Sequence, residues 1–181
     1  MDAALQLFIE QGVAPTTIEQ ITVGASVAKG TFYLHFSSKD DVLAALRERF
    51  VGELLKGIDG AVSKCSKPDW SGKLAAWATA SIDGYLDALA LHDIVFHEVH
   101  SHSREKHSDN ILITHLGALL DDGTAAGAWR VADSRFTAVF LFHGFHGIVD
   151  DALVKEKRPN RARLAKKLAN IFFQAAGLPT V

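Results

Sequence analysis

The chain has 181 residues, of which 48% are hydrophobic, and its formal net charge is −2 at pH 7. This length fits one compact unit or a small head joined to a larger body, and the hydrophobic content excludes a disordered protein. The single cysteine, Cys65, excludes an intramolecular disulfide framework and is typical of a reducing compartment. No apolar run has the length of a membrane span, and no basic-then-apolar leader begins the chain. We therefore expect a cytoplasmic protein with no membrane partner.

The first fifty residues have the pattern of three short helices followed by a longer one. An apolar stripe predicts the first helix over residues 2–11, and Gly12 ends it. Thr16 or Thr17 can cap a second helix, because a threonine oxygen accepts a hydrogen bond from an N–H group of the first turn. Small residues then allow a sharp turn into a third helix over residues 28–35. This is the layout of a helix-turn-helix, whose second helix enters the major groove of DNA.

The same stretch resembles the DNA-binding head of tetracycline-repressor (TetR) family regulators, whose pattern is T-T-x-x-x-I-A-x-x-A-G-V-S-K-G-T-L-Y-x-H-F-x-S-K-x-x-L. The positions that match are Thr16, Thr17, Ile21, Ala25, Val27, Lys29, Gly30, Thr31, Tyr33, His35, Phe36, Ser38, Lys39, Val42 and Leu43. Ser26 stands where a turn glycine is usual, Ala28 where a capping serine is usual, and Val23 where a charge is common. The resemblance is detailed over the first fifty residues and architectural beyond them. It implies an all-α transcriptional regulator, most often a repressor.

The resemblance also implies which residues meet DNA. The N-terminal half of the third helix is expected to contact base edges, because lysine donates to guanine acceptors while threonine and alanine contact the thymine methyl group. Other side chains are expected at phosphates, Lys39 through its charge and Thr17 through a helix N-terminus. The predicted DNA-binding residues are Thr17, Ala28, Lys29, Gly30, Thr31, Tyr33, Leu34, His35 and Lys39.

The charge of the predicted head is unusual for a domain that binds nucleic acid. Residues 1–50 hold four Lys and Arg against six Asp and Glu, whereas a basic footprint is the usual signature. Uncharged donors and helix N-termini also bind phosphates. We therefore expect binding that is weaker and less salt-dependent than in basic relatives. Because the family usually carries a basic arm before its first helix, we also expect such an arm to precede Met1.

Beyond the head, helical periodicity continues and no strand pattern is found, which predicts about nine helices in all. Ser38 caps a long helix that joins head to body and runs to about residue 64. The further helices are predicted over residues 71–90, 93–100, 110–126, 134–154 and 161–176, and Asp133 is the expected cap of the fourth of these. We assign residues 1–45 to the DNA-binding domain and residues 46–181 to a domain for ligand binding and dimerisation.

The last two predicted helices are the candidate dimer interface. The helix over residues 134–154 is apolar around most of its circumference, so it must be buried on more than one side. A monomer would expose this phenylalanine-rich surface, and a two-fold dimer matches a palindromic operator. The predicted interface residues are Phe136, Phe140, Gly144, Gly147, Ile148, Leu164, Leu168, Ile171 and Phe172.

The body is expected to hold a pocket for a small-molecule effector, mostly apolar with a few polar groups. The candidate lining residues are Trp77, Tyr85, Phe96, Trp129, Phe140 and His143. For each of them, an ordinary place in the core is the alternative interpretation. No cofactor is expected.

Histidines cluster between His92 and His115, which leaves a metal-responsive regulator as an alternative. His97 and His100 are three apart on one helical face beside Glu98, and imidazole suits zinc, copper or nickel. No cysteine partner or fixed motif spacing accompanies them. An enzyme is a further alternative. Because the sequence has no phosphate loop, nucleophile motif or HExxH motif, we expect a protein that is not an enzyme.

Overall fold

The computed structural model of the chain describes residues 1–96 and 110–179. Within these two ranges the chain forms nine α-helices and no strand, which confirms the predicted all-α class. The helices are α1 Asp2–Gln11, α2 Ile18–Gly24, α3 Lys29–His35, α4 Lys39–Val62, α5 Trp70–Asp87, α6 Leu89–Phe96, α7 Ile111–Ala125, α8 Ser134–Lys155 and α9 Arg161–Ala176.

Side-chain caps define where the later helices begin. Asn110 accepts from the N–H of Leu112 at the start of α7. Asp133, the predicted cap of α8, accepts from the N–H of Phe136 at 2.8 Å. Asn160 caps α9 in the same way, and Gly177 ends that helix in the left-handed conformation, with φ at 73°. Local capping chemistry therefore places these helix ends close to their predicted positions.

One predicted helix is divided in the structure. The pattern over residues 71–90 predicted a single helix, but α5 ends at Asp87 and α6 begins at Leu89. Neither proline nor glycine marks the break. Instead, α6 packs against α1, a tertiary contact that the helical pattern through Ala88 does not reveal. The short helix predicted over residues 93–100 thus begins earlier, and its part beyond residue 96 lies outside the described residues.

Two compact units contain the described residues. The first comprises residues 1–53 and 85–96, and the second comprises residues 54–84 and 110–179. The long helix α4 begins in the first unit and ends in the second. The domain boundary predicted between residues 45 and 46 stays a prediction.

Each unit has an apolar core of its own. In the first unit, Phe8, Ile21, Phe32 and Leu46 are buried where α1, α2, α3 and the beginning of α4 meet. In the second unit, Trp77 of α5 and Phe172 of α9 are fully buried, with ring centroids 5.7 Å apart. Burial of these large side chains is the main favourable term in forming each unit.

Helix α8 has 22 residues and, among the described helices, is the one long and apolar enough to cross a membrane by length and composition. This differs from the expectation that no segment reaches that length. Core helices of proteins in water meet the same criterion, and α8 buries Leu141, Phe142, Phe145 and Val149 within the chain. The criterion alone is therefore weak evidence for a membrane span.

Candidate nucleic-acid interface

Thr17 fixes the beginning of α2. Its Oγ1 accepts from the N–H of Gln20 at 3.2 Å, and the Gln20 side-chain oxygen accepts from the N–H of Thr17 at 2.8 Å. This reciprocal pair is a capping box, which satisfies two N–H groups at the helix N-terminus. The neighbouring Thr16 is buried instead and donates to the carbonyl of Gly12 at 2.7 Å. Of the two threonines predicted as caps, Thr17 is the one that caps α2.

The turn between α2 and α3 depends on an unusual backbone conformation at Ser26. Its φ is 55°, the one positive φ at a non-glycine residue among the residues described. Glycine adopts this left-handed region without the clash that a Cβ atom causes. The turn therefore keeps the geometry of the family's glycine although a serine occupies the position.

Helix α3 begins without a side-chain cap. Ala28 is the N-cap residue, and no side chain accepts a hydrogen bond at this end. Phe32 holds the helix to the core, its ring lying 5.4 Å from that of Tyr33 and 5.7 Å from that of Phe36. One buried anchor leaves the remainder of this short helix facing outward.

Eight of the nine predicted DNA-binding residues are exposed: Thr17, Ala28, Lys29, Gly30, Thr31, Tyr33, Leu34 and His35. Leu34 is 81% exposed, which is unusual for a leucine. A Cβ atom added at Gly30 would meet no atom within 4 Å, so the fold itself does not require glycine there. Their contact with DNA stays a prediction.

The Lys39 side chain is half-buried and is held by the chain itself. Its Nζ donates to the carbonyl oxygens of Val13 at 2.7 Å, Ala14 at 3.0 Å and Thr16 at 2.7 Å. An ammonium group has three donors, so these contacts use all of them. Lys39 therefore fastens the loop between α1 and α2 to the start of α4, and its predicted contact with a phosphate stays a prediction.

The start of α4 is held by an exchange of hydrogen bonds. Asp41 donates its N–H to the Ser38 hydroxyl at 3.2 Å, which agrees with the predicted cap. The Asp41 carboxylate accepts from the Ser37 hydroxyl and from the Ser37 N–H. These bonds, the one from the Ser37 side chain first, hold the pKa of the Asp41 carboxyl below its usual value.

Most cations of the head are engaged by the protein itself. Arg49 pairs with Asp2 at 2.5 Å, which lowers the pKa of the Asp2 carboxyl. The Arg47 guanidinium lies 4.7 Å from the centre of the Phe96 ring, and Lys39 is bound to carbonyls. Lys29 is exposed, and it alone of the four Lys and Arg in residues 1–53 has no partner among the described residues. The exposed face of α3 thus presents one cation per chain, Lys29.

The structure does not bring the predicted pocket residues to one cavity. Trp77 is fully buried and donates its indole N–H to Nδ1 of His115 at 3.0 Å. Trp129 donates to the carbonyl of Leu120 and lines a shallow cavity of about 330 Å³ at the α7–α8 connection. Phe140 and His143 are exposed on the surface of the chain, and their place in a ligand pocket stays a prediction.

The remaining pocket candidates belong to the first unit. Tyr85 is fully buried and its ring centroid lies 4.0 Å from that of His92. Phe96 lies 4.8 Å from His92 on the same measure. These rings form an aromatic cluster with His92 in its middle, and Tyr85 occupies the core position that was its alternative interpretation.

The predicted dimer residues separate into three groups by their exposure in the single chain. Phe136 and Phe140 are 72% and 64% exposed, and Gly144 and Gly147 are exposed on the same helix. Ile148 and Ile171 are half-buried. The residues buried inside the single chain are Leu164, Leu168 and Phe172, and the predicted interface as a whole stays a prediction. Their apolar stripe faces the core of the second unit.

The metal alternative receives no support from the residues described. The candidates His97 and His100 lie outside them. His92 belongs to the aromatic cluster of the first unit, whereas His115 of the second unit bonds to Trp77 and to Asp59. Across residues 1–96 and 110–179, no three His, Cys, Asp or Glu side chains stand together as a metal site.

The geometry of α2, α3 and their turn defines a helix-turn-helix DNA-binding domain. Residues 1–46 match the family of bacterial regulatory proteins, tetR family. The HTH-type transcriptional repressor DhaR of Mycobacterium sp. (strain GP1) is 31% identical over 68 residues, which is 38% of this chain and 34% of DhaR. The alignments cover between 17% and 34% of the first curated relatives, so the chain spans about a third or less of their length.

Two solved structures have the same fold over almost the whole chain. The fatty acid degradation regulator FadR from Bacillus halodurans aligns with a TM-score of 0.78 at 22% identity, covering 99% of this chain and 94% of FadR. A bacterial regulatory protein in the tetR family from Rhodococcus RHA1 gives 0.74 at 19% identity, covering 98% and 95%. The head is a TetR-family helix-turn-helix domain, and the chain has the fold of TetR-family regulators, which confirms the resemblance predicted from sequence.

Proposed function

We propose that this protein is a cytoplasmic transcriptional repressor. It binds a palindromic DNA operator as a homodimer. The observation that carries the proposal is the exposed face of α3 on a head that matches the TetR family over residues 1–46. On this face Lys29 can donate to guanine, and Thr31 can contact a thymine methyl group. Gly30 adds no side chain between them, which lets the backbone approach the groove closely.

The exposed part of α8 supports the homodimer. Phe136 and Phe140 are four residues apart on one helical face and are mostly exposed in the single chain. Covering a phenylalanine contributes about 1.5–3 kcal/mol, and the exposed Gly144 and Gly147 allow a second backbone close to the helix. A second copy suits this surface, because one helix-turn-helix makes too few contacts for specific affinity.

Helix α4 is the proposed route from effector to DNA. It begins in the head at Lys39 and ends at Val62 in the second unit. A ligand that binds better to one orientation of the heads shifts the population toward that orientation and releases DNA. Because the FadR neighbour is named for fatty acid degradation, acyl compounds are the first class of effector to test.

Selection of bound fragments from random duplex DNA tests the proposal most directly. We expect an inverted repeat to be enriched, with half-sites one helical turn or more apart. The Lys29→Ala and Tyr33→Ala variants should lose this selectivity while sedimenting as the same oligomer. Enrichment of no sequence by the wild-type protein would contradict the proposal, as would a monomer at micromolar concentration.

A further inference from the structure

The positive charge of this chain is concentrated in one segment of the second unit. Residues 155–167, here called the basic segment, include the end of α8, a short connection and the first turns of α9. They hold seven of the 19 Lys and Arg but one of the 21 Asp and Glu, Glu156. The remainder of the chain is therefore strongly acidic, with 12 Lys and Arg against 20 Asp and Glu.

All seven cations of the basic segment are exposed: Lys155, Lys157, Arg158, Arg161, Arg163, Lys166 and Lys167. Lys155 pairs with Asp151 of the preceding turn, and Arg163 pairs with Glu156. Four cations, Lys157, Arg158, Lys166 and Lys167, have no acidic partner among the described residues. The apolar residues Leu164 and Leu168 bury the other face of α9, so the charges of this helix stand on its outer side.

Within the second unit, one residue of the basic segment, Arg161, contacts α5. Arg161 is 3.7 Å from the carboxylate of Asp83, near the end of α5. A Cβ atom at the next residue, Gly84, would meet the Leu54 side chain of α4. Leu54 and Gly84 are the residues at which α4 enters this unit and α5 leaves it. Arg161 therefore contacts the residue that precedes the point at which α5 leaves this unit.

We infer that the basic segment binds the phosphate backbone of the operator DNA and supplies cations that the head lacks. The inference rests on the proposed function and adds a second surface to it. Lys and Arg at phosphates provide affinity that is independent of sequence, whereas contacts of α3 with the bases provide sequence specificity. Because Lys29 is the one unpartnered cation of the described head, positive charge from elsewhere in the chain would add to the affinity for DNA.

A triple variant tests the basic segment. Arg158→Gln, Lys166→Gln and Lys167→Gln remove three exposed charges that have no acidic partner among the described residues, so the fold should be kept. The matched control is Lys64→Gln, Lys67→Gln and Arg130→Gln, which removes the same residue types from exposed sites of the same unit. Operator affinity is measured for both variants between 50 and 200 mM salt, where binding to phosphates is recognised by its salt dependence.

We expect the slope of log affinity against log salt to become shallower by about 0.9 for each phosphate that the variant no longer neutralises, and low-salt affinity to fall at least about tenfold. The control should change neither quantity, and the preferred sequence should stay the same in both variants. An unchanged slope in the triple variant, with wild-type selection of an operator intact, overturns this inference and leaves the proposed function standing. Loss of binding to vesicles of 30% phosphatidylserine without any loss of DNA binding overturns it in favour of a lipid surface.

The reverse result separates the two proposals. If the wild-type protein binds duplex DNA without selecting a sequence, and the triple variant loses that binding, the basic segment is confirmed while the proposed function fails. Absence of any duplex binding by the wild-type protein at 50 mM salt overturns both.

Discussion

The indole N–H of Trp77 donates to Nδ1 of His115 at 3.0 Å, and Nε2 of the same imidazole lies 2.8 Å from the Asp59 carboxylate. Because Nδ1 accepts, the neutral ring carries its proton on Nε2 and donates it to Asp59. One histidine thus joins α5, α7 and α4 inside the second unit.

Replacing His115 should show how much its hydrogen bond with Trp77 contributes to the free energy of unfolding. His115→Ala leaves the Trp77 N–H without its acceptor, and we expect unfolding in urea to show a loss of about 1–3 kcal/mol. In a Trp77→Phe background the same replacement should have a smaller effect, since no indole N–H is left unsatisfied. Equal losses in both backgrounds would show that the hydrogen bond contributes nothing.

Ser26 offers a stabilising substitution. Its φ of 55° is a conformation that a Cβ atom disfavours, so Ser26→Gly should raise the free energy of unfolding by about 1 kcal/mol. Ser26→Ala keeps the Cβ atom and is the matched control, for which no gain is expected. Thermal unfolding of both variants measures their stability relative to the wild type. An equal increase in stability for Ser26→Ala would contradict backbone strain at Ser26.

Gly30→Ala should separate stability from DNA binding. The added methyl group meets no atom of the chain within 4 Å, and alanine in a helix is favoured over glycine by about 0.5–1 kcal/mol. We expect a slightly more stable protein that binds its operator less tightly, because the methyl group stands on the face proposed to meet the groove. Unaltered operator affinity would remove Gly30 from the interface.

Substitutions of Lys39 and Lys29 should have opposite effects on stability and on the salt dependence of DNA binding. Lys39→Met removes three hydrogen bonds to backbone carbonyls, and we expect the head to lose about 1–3 kcal/mol of stability. The salt dependence of its DNA binding should stay as in the wild type. Lys29→Ala should leave stability unchanged and reduce the salt slope by about 0.9 per chain. If the folded Lys39→Met variant shows a reduced slope of log affinity against log salt, Lys39 contacts a phosphate as predicted from the sequence.

Asp41 gives the head a dependence on acid pH. Hydrogen bonds from Ser37 and Ser38 lower its pKa from the ordinary value of 3.8. A depressed folded pKa contributes stability that is present above the unfolded value and is lost as the pH falls through the folded value. Asp41→Asn should therefore be less stable than the wild type at pH 7, and the difference should shrink as the pH falls below 3.8. If the stability difference between Asp41→Asn and the wild type stays the same in acid, it comes from the hydrogen-bond geometry and not from the charge of Asp41.

The elements that could be predicted are those set by local chemistry. Asp133 and the glycine at 177 mark helix ends through contacts within a few residues, and the spaced motif of the head identifies its fold. The features that the sequence does not reveal depend on distant contacts. Lys39 reaches a carbonyl 26 positions earlier, and the stripe of Leu164 and Leu168 shows that a face is covered but not whether its own chain covers it.

The uninterrupted course of α4 through both units has a consequence for protein engineering. A head exchanged between relatives must be joined inside this helix, between Lys39 and Val62, because no loop separates the two units there. Each residue added or removed at such a junction turns everything beyond it by about 100° around the helix axis. Chimeric regulators built on this scaffold should therefore work in steps of whole helical turns and fail at the lengths between them.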